Sequence, residues 1–309
     1  MSKIVMLERE NIGEDVDLSA FEQLGELTVY ERCTPGEIEE RIKDAEIVIL
    51  NKMPMNEETL SGARNLKLLC VTATGMDNVD LEYCKTHGIR VKNVKGYSTE
   101  SVVQHTFAMF FYLYEKLSYY DEYVKDGNYT KCPIFTHFAE RFHELSGKTW
   151  GIVGLGEIGR RVATVAEAFG CNVIYYSTSG KNHDTQFKEV DFDTFLSSAD
   201  VISVHAPLNE KTRYLFGADA FDKMKENAYF INVGRGPIVD SAALLAALES
   251  NKIAGAALDV LEKEPMSPDD PLLQMKDSRK LLITPHIAWA TVEARKRLMR
   301  EVYRNITEN

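Results

Sequence analysis

The sequence predicts an α/β protein built on two doubly wound parallel sheets, and three observations predict it. Short β-branched runs alternate with amphipathic stretches. The alternation occurs twice, once before residue 99 and again from Thr149, with a long apolar-rich helical pattern between the two series. The second series opens on a strand that runs directly into a glycine-rich turn and a helix. At 309 residues the chain holds two domains of ordinary size, each with its own core.

In the first series, strands are expected at residues 3–8, 27–31, 46–51, 67–72 and 90–94, and helical patterns lie around 18–24, 35–45, 56–63 and 80–87. Five strands joined by four crossovers make a parallel sheet. The apolar stretch 99–125 reads as one long helix, because Phe107, Phe110, Phe111 and Tyr114 recur at helical spacing. Its length suits a connector between domains. Residues 126–147 are irregular and are expected to form a loop. The second series predicts strands at 150–153, 173–176, 201–205, 229–233, 254–259 and 281–284. Helices fill the gaps, including 158–169 and 241–251, the latter with Asp240 as its N-cap, and the tail 291–309 reads as a further helix.

Composition narrows the function. There are 36 Lys and Arg against 47 Asp and Glu, a net charge of −11, and no dense basic block, which argues against a general nucleic-acid surface. No apolar run approaches the roughly 20 residues that span a bilayer. The first ten residues lack the basic and apolar segments of a signal peptide. Cys33, Cys70, Cys84, Cys132 and Cys171 are widely spaced and form no C-x-x-C pair, so reduced thiols in a cytoplasmic setting are expected, with neither disulfides nor a metal site.

Gly154, Gly156 and Gly159 form a G-x-G-x-x-G string after an apolar strand. The first permits a tight turn, the second lets the backbone approach a pyrophosphate, and the third allows close helix–strand packing. Phosphates then meet unpaired N–H groups at the positive end of a helix. Many NAD-binding chains place Asp or Glu at the end of the next strand to bind the ribose. Here Ser177, Thr178, Ser179, Gly180, Lys181 and Asn182 stand there instead. Hydroxyls and Lys181, with no carboxylate to repel a 2′-phosphate, favour NADP(H), although the same turn holds NAD through ribose hydroxyls alone.

Three later segments carry reactive groups. Arg235 sits between glycines after a strand, and its planar guanidinium suits a two-point grip on a carboxylate. Glu262 and Glu264 follow the strand that ends at Asp259, and His286 follows the strand 281–284. Each falls at the sheet edge where open α/β folds bind ligands.

With those strings in view, the chain resembles the D-isomer-specific 2-hydroxyacid dehydrogenase family over essentially its whole length. The matching strings are GLGEIG at 154–159, HAPLNEKT at 205–212, NVGRGPIVD at 232–240, ALDVLEKEP at 257–265 and TPHIAWAT at 284–291. The resemblance implies a Rossmann dinucleotide-binding domain, residues 99–286, inserted into a flavodoxin-like substrate domain, residues 1–98 plus 287–309. It implies that Arg235 orients the substrate, that His286 is the acid/base, and that Glu264 is its carboxylate partner. Cofactor contacts are implied at Leu155, Glu157, Ile158, Ser177, His205, Pro207, Thr212, Val233, Gly234 and Asp259. The substrate carboxylate is expected on backbone N–H groups of Ala73, Thr74, Gly75 and Met76, with Asn51 and Lys52 as weaker pocket candidates. A homodimer formed through the cofactor domain is also implied.

The strings ATGMDNVD at 73–80 and GYSTESVVQHT at 96–106, with the ending HIAW at 286–289, resemble the glycerate dehydrogenase and hydroxypyruvate–glyoxylate reductase branch. The expected reaction is reversible reduction of a small 2-keto acid, with Trp289 either walling the pocket or packing between domains. Two other readings remain: a D-lactate dehydrogenase-type enzyme, and a dinucleotide-sensing corepressor that binds protein partners.

Overall fold

The computed structural model describes residues 2–181 and 183–308; Met1, Asn309 and the Asn182 of the serine-rich turn lie outside the described residues. The chain divides into two units, Met1–Ser98 with Trp289–Asn309, and Thr99–Ala288.

In the first unit, β1 (Ser2–Met6), β2 (Gly25–Val29), β3 (Ile47–Leu50), β4 (Leu68–Val71) and β5 (Arg90–Lys92) alternate with α1 (Ser19–Glu22), α2 (Ile38–Ile42), α3 (Glu57–Leu60) and α4 (Leu81–Thr86). The sheet order is β2-β1-β3-β4-β5, all pairs parallel, which is the flavodoxin-like order. β3 and β4 are buried at every residue, as central parallel strands covered on both faces must be. Asn56 and Asp80 start α3 and α4 by accepting the N–H groups of Thr59 and Tyr83. The C-terminal helix (Val292–Thr307) returns to this unit, and Ala294, Leu298, Met299, Val302 and Ile306 on one face pack with Ile4, Met6, Ile49 and Cys70.

The second unit begins with α5 (Thr99–Tyr114) and α6 (Leu117–Lys125). It continues through β6 (Thr149–Val153), α7 (Glu157–Ala168), β7 (Asn172–Tyr176), β8 (Lys188–Glu189), α8 (Phe192–Ser198) and β9 (Val201–Val204). It ends with α9 (Ala218–Lys223), β10 (Tyr229–Asn232), α10 (Ser241–Glu249), β11 (Gly255–Leu258) and β12 (Leu281–Ile283). The order β12-β11-β10-β9-β6-β7-β8 is the Rossmann order with one strand added beyond the sixth. Its core includes a fully buried Trp150, tilted against Phe107 and edge-on to Phe110 of α5, 4.8 and 4.9 Å between ring centroids.

Two expectations need correction. The helix expected over 99–125 breaks at Lys116, whose backbone turns left-handed (φ 54°) while its ammonium reaches the Tyr229 hydroxyl at 3.0 Å. Neither Gly nor Pro marks that break in the sequence, so periodicity alone ran through it. Ile287 and Ala288, assigned above to the tail, belong to the second unit, because both N–H groups bond the Asp259 carboxylate at 2.8 Å. Within 126–147 the chain is irregular apart from a 3₁₀ turn at Asn128–Lys131, and the His137 ring lies flat on Tyr123 with centroids 3.7 Å apart.

Candidate active site

One row of residues crosses six strands in register: Tyr176, Val153, Val204, Asn232, Leu258 and Ile283. The chain leaves the sheet just past this row, at its carboxyl edge, where open α/β sheets bind ligands. Ser177, Gly154, His205, Val233, Asp259 and Thr284 are the first residues beyond it.

The glycine turn lies between β6 and α7, at the point where strand order reverses from β7 to β9. Gly154 has φ 89°, and a Cβ there would come within 2.9 Å of the Ala206 backbone. A Cβ on Gly159 would lie 2.3 Å from the Gly154 carbonyl oxygen, so only glycine lets α7 sit this close to the turn. Gly156 differs: its Cβ would meet nothing within 4 Å. The fold makes no steric demand for a glycine at 156, whereas a phosphate approaching the backbone does. Leu155 is buried in the core, Ile158 is half-buried, and Glu157 is exposed at the start of α7, where the first N–H groups have no intrahelical acceptor.

Two buried polar atoms at this edge have no hydrogen-bond partner among the described residues: the Ser177 hydroxyl and His205 Nδ1. Buried polar atoms are ordinarily satisfied, so both mark places for a ligand. His205 Nε2 lies 3.0 Å from the Ser203 hydroxyl, which also takes the Trp150 indole N–H at 2.9 Å. Burial pushes the His205 imidazole down to about 3, which keeps it neutral. Thr178 is half-buried, and Ser179 and Lys181 are exposed. These features fit a dinucleotide. Pro207 is exposed in the following loop. Thr212 is fully buried, with its hydroxyl bonded inside that loop to Pro207 O and Asn209 N at 2.8 Å. Its side chain thus shapes the loop.

The reactive trio lies on the three strand exits at one end of the row. Asn232, buried, clamps the next turn: its oxygen accepts Gly234 N–H and its amide donates to Arg235 O, both at 3.0 Å. Val233, Gly234 and Arg235 are half-buried there. A Cβ on Gly236 would overlap Leu261 O, so this turn rests on the segment leading to Glu264. One Glu264 oxygen accepts Leu261 N–H at 2.9 Å and the other lies 2.6 Å from His286 Nδ1. His286 occupies the left-handed region, φ 55°, where a non-glycine residue persists only if its surroundings hold it. Asp259 does the holding. Its carbonyl accepts His286 N–H at 2.8 Å, and its carboxylate, 1% exposed, accepts Ile287 and Ala288 N–H at 2.8 Å and the Thr284 hydroxyl at 2.6 Å. Burial pushes this carboxyl up, but hydrogen bonds from His105, Thr284 and the two amides outweigh it, leaving a net depression.

In the first unit, two candidate anion loops follow β3 and β4, and they differ. The N–H groups of Asn51, Lys52 and Met53 all donate to Glu8 Oε2, at 2.7, 2.9 and 3.2 Å. Glu8 is buried, so this nest is filled by the protein's own carboxylate. The Asn51 amide is turned to Thr72, while Lys52 is exposed. Among the described residues, the N–H groups of Ala73, Thr74, Gly75 and Met76 have no such acceptor. That loop is pinned through other atoms: the Thr74 hydroxyl donates to Val94 O at 2.9 Å, and Asn93 donates to Thr74 O at 2.6 Å. Trp289 packs in the core of this unit, edge-on to Tyr97 at 6.3 Å. Glu8, His105 and Thr284 escaped the sequence reading. The one usable signal was a charged residue two positions past a buried strand, as Glu8 is.

Residues 107–288 match the family model described as D-isomer specific 2-hydroxyacid dehydrogenase, NAD binding domain. The glycerate dehydrogenase of Methylorubrum extorquens is 38% identical over 305 residues, 98% of this chain and 95% of that protein. The hydroxypyruvate reductase of Blautia hydrogenotrophica is 36% identical, with 99% and 96% covered. Among solved structures, an acyclic imino acid reductase in complex with NADPH and D-Arg superposes with a TM-score of 0.87 at 28% identity, covering 99% of this chain and 96% of that one. The Aquifex aeolicus D-lactate dehydrogenase complexed with NAD and lactic acid gives 0.86 at 30% identity, covering 99% and 94%.

Proposed function

The chain belongs to the D-isomer specific 2-hydroxyacid dehydrogenases, NAD(P)-dependent oxidoreductases, and on that premise we propose that it interconverts hydroxypyruvate or glyoxylate with the D-2-hydroxy acid. The observation that carries the chemistry is the 2.6 Å contact between His286 Nδ1 and Glu264. It leaves Nε2 as the nitrogen that serves the substrate. The substrate class rests on the relatives named glycerate dehydrogenase and hydroxypyruvate reductase.

In the reductive direction Arg235 grips the carboxylate and polarises the keto oxygen. The backbone amides of residues 73–76 are the first unit's own candidate donors for an anionic group. A bound dinucleotide supplies the hydride for the carbonyl carbon. His286 gives its Nε2 proton to the oxygen as negative charge builds there, and Glu264 balances the imidazolium before transfer. The gain is largest in the transition state, where the oxygen carries most charge. Steady-state assays with hydroxypyruvate, glyoxylate, pyruvate and 2-ketoisocaproate test the reading. The highest kcat/KM on one of the first two supports it, and preference for pyruvate or the branched acid overturns it.

For the cofactor, NADP(H) is favoured. The unpartnered Ser177 hydroxyl, exposed Lys181 and the absence of a carboxylate in 177–181 support that choice. A kcat/KM for NADPH above that for NADH is expected, and a strong NADH preference refutes it. The exposed aromatic side chains of Phe135 (89%) and Phe138 (77%) support a homodimer through the second unit. Light scattering is expected to give twice the chain mass, and Phe135→Asp with Phe138→Asp a lower value. The five free cysteines support a reducing, cytoplasmic setting.

A further inference from the structure

We propose that His105 is a positioning residue for His286, acting through Thr284 and Asp259; the proposal rests on the acid/base reading of His286 given above. Ser101 and His105 stand one turn apart on α5 and grip the two ends of the segment that carries His286. The Ser101 hydroxyl donates to Ala288 O at 2.6 Å, and His105 Nε2 lies 3.0 Å from the Thr284 hydroxyl oxygen.

The proton count fixes the direction of the chain. The Thr284 hydroxyl has one proton, and the Asp259 carboxylate at 2.6 Å takes it in preference to the Met109 sulfur at 3.8 Å. Thr284 therefore meets His105 as an acceptor, and His105 Nε2 carries the proton. The same N–H points toward Asp259 Oδ1 at 3.5 Å. His105 thus feeds donor character into the carboxylate that ties down the amides of Ile287 and Ala288, while the Asp259 carbonyl holds that of His286.

Removing this donor leaves a carboxylate that is 1% exposed with weaker compensation, and the turn it braces includes a non-glycine residue in the left-handed region. The His286 ring then loses its registration with Glu264, and misplacement by about 1 Å can cost as much as 100-fold in rate. His105 meets Thr284 and Asp259, and its effect on His286 is indirect.

Two polar replacements separate the arms. The amide nitrogen of Gln reaches about as far as Nε2, whereas that of Asn falls one methylene short. His105→Asn is expected to lower kcat with hydroxypyruvate about tenfold, with coenzyme Kd changed by less than about twofold. His105→Gln is expected to recover kcat to within about threefold of the wild type. Hydrogen exchange at the amides of Ile287 and Ala288 is expected to quicken about tenfold in His105→Asn and to stay near the wild-type rate in His105→Gln. That readout needs no turnover, so a wrong substrate assignment leaves it intact while a wrong positioning assignment does not. Unchanged exchange and kcat in His105→Asn overturn the proposal, as does equal damage in both variants, or a coenzyme Kd that weakens in step with kcat. Should His105→Asn fail to fold, Thr284→Val against Thr284→Ser poses the same contrast from the other side of the bond.

Discussion

His286 Nδ1 lies 2.6 Å from one oxygen of Glu264, whose other oxygen accepts Leu261 N–H at 2.9 Å. The carboxylate is thereby fixed before it orients the ring. His286→Ala is expected to lower kcat by about 10²–10⁴-fold, the usual loss for a general acid. Glu264→Gln loses the charge and has one acceptor oxygen where Leu261 N–H and the imidazolium ask for two, so a clear but smaller loss in kcat is expected. Rapid-mixing measurement of reduced-coenzyme oxidation checks both; near-normal turnover in His286→Ala contradicts the assignment.

The glycines of the nucleotide turn separate fold from ligand. A Cβ at Gly159 collides with the Gly154 carbonyl oxygen at 2.3 Å, so Gly159→Ala is expected to destabilise the protein by about 1–3 kcal/mol. Gly156 has extended backbone and open space around it. Gly156→Ala is expected to leave Tm unchanged yet to weaken coenzyme Kd by about tenfold or more. Calorimetry with fluorescence titration decides; intact coenzyme binding in Gly156→Ala argues against phosphates on this turn.

His205 sets a pH dependence of stability. The unfolded chain protonates this imidazole near its ordinary value of about 6.5, whereas burial holds it near 3 in the folded protein. Between those values the unfolded state carries the extra proton, so stability is full above the ordinary value and falls as pH drops toward 3. His205→Gln is expected to lose less urea resistance between pH 7.5 and pH 5 than the wild type. Parallel losses in the two proteins show that other groups govern the acid limb.

Glu8 fills the amide nest after β3, and its removal leaves three N–H groups, that of Asn51 buried and those of Lys52 and Met53 part-buried, without their acceptor. Glu8→Ala is expected to cost about 1–3 kcal/mol, the penalty for orphaned buried donors. Since the loop after β4 leans on this one through Asn51 and Thr72, KM for the keto acid is expected to rise while coenzyme Kd holds. A wild-type KM in a folded Glu8→Ala protein removes the loop from the substrate's environment.

Much of this was legible from residue order. Strand positions were readable because β3 and β4 are unbroken apolar runs and β9 and β10 carry a single polar residue each, and every site string lies across or just past a strand exit. Arg235, Glu264 and His286 stood out as a set, each following a successive parallel strand, and the family resemblance supplied their expected roles. What stayed hidden depends on partners distant in the chain. Lys116 breaks its helix toward Tyr229, Glu8 finds amides more than forty positions away, and His105 sits in an apolar helix beside Thr284. No local pattern announces such pairs.

The common row from Tyr176 to Ile283 has a consequence for how this scaffold varies. Every reactive group hangs from a short tether cut from the same baseline, so reach is set by tether length and not by the sheet. Lengthening the tether between Ile283 and His286 by one residue would carry the imidazole off its carboxylate while leaving every ladder bond intact. New chemistry on this frame is therefore a matter of respacing a few exits, and the frame itself can remain unchanged through the process.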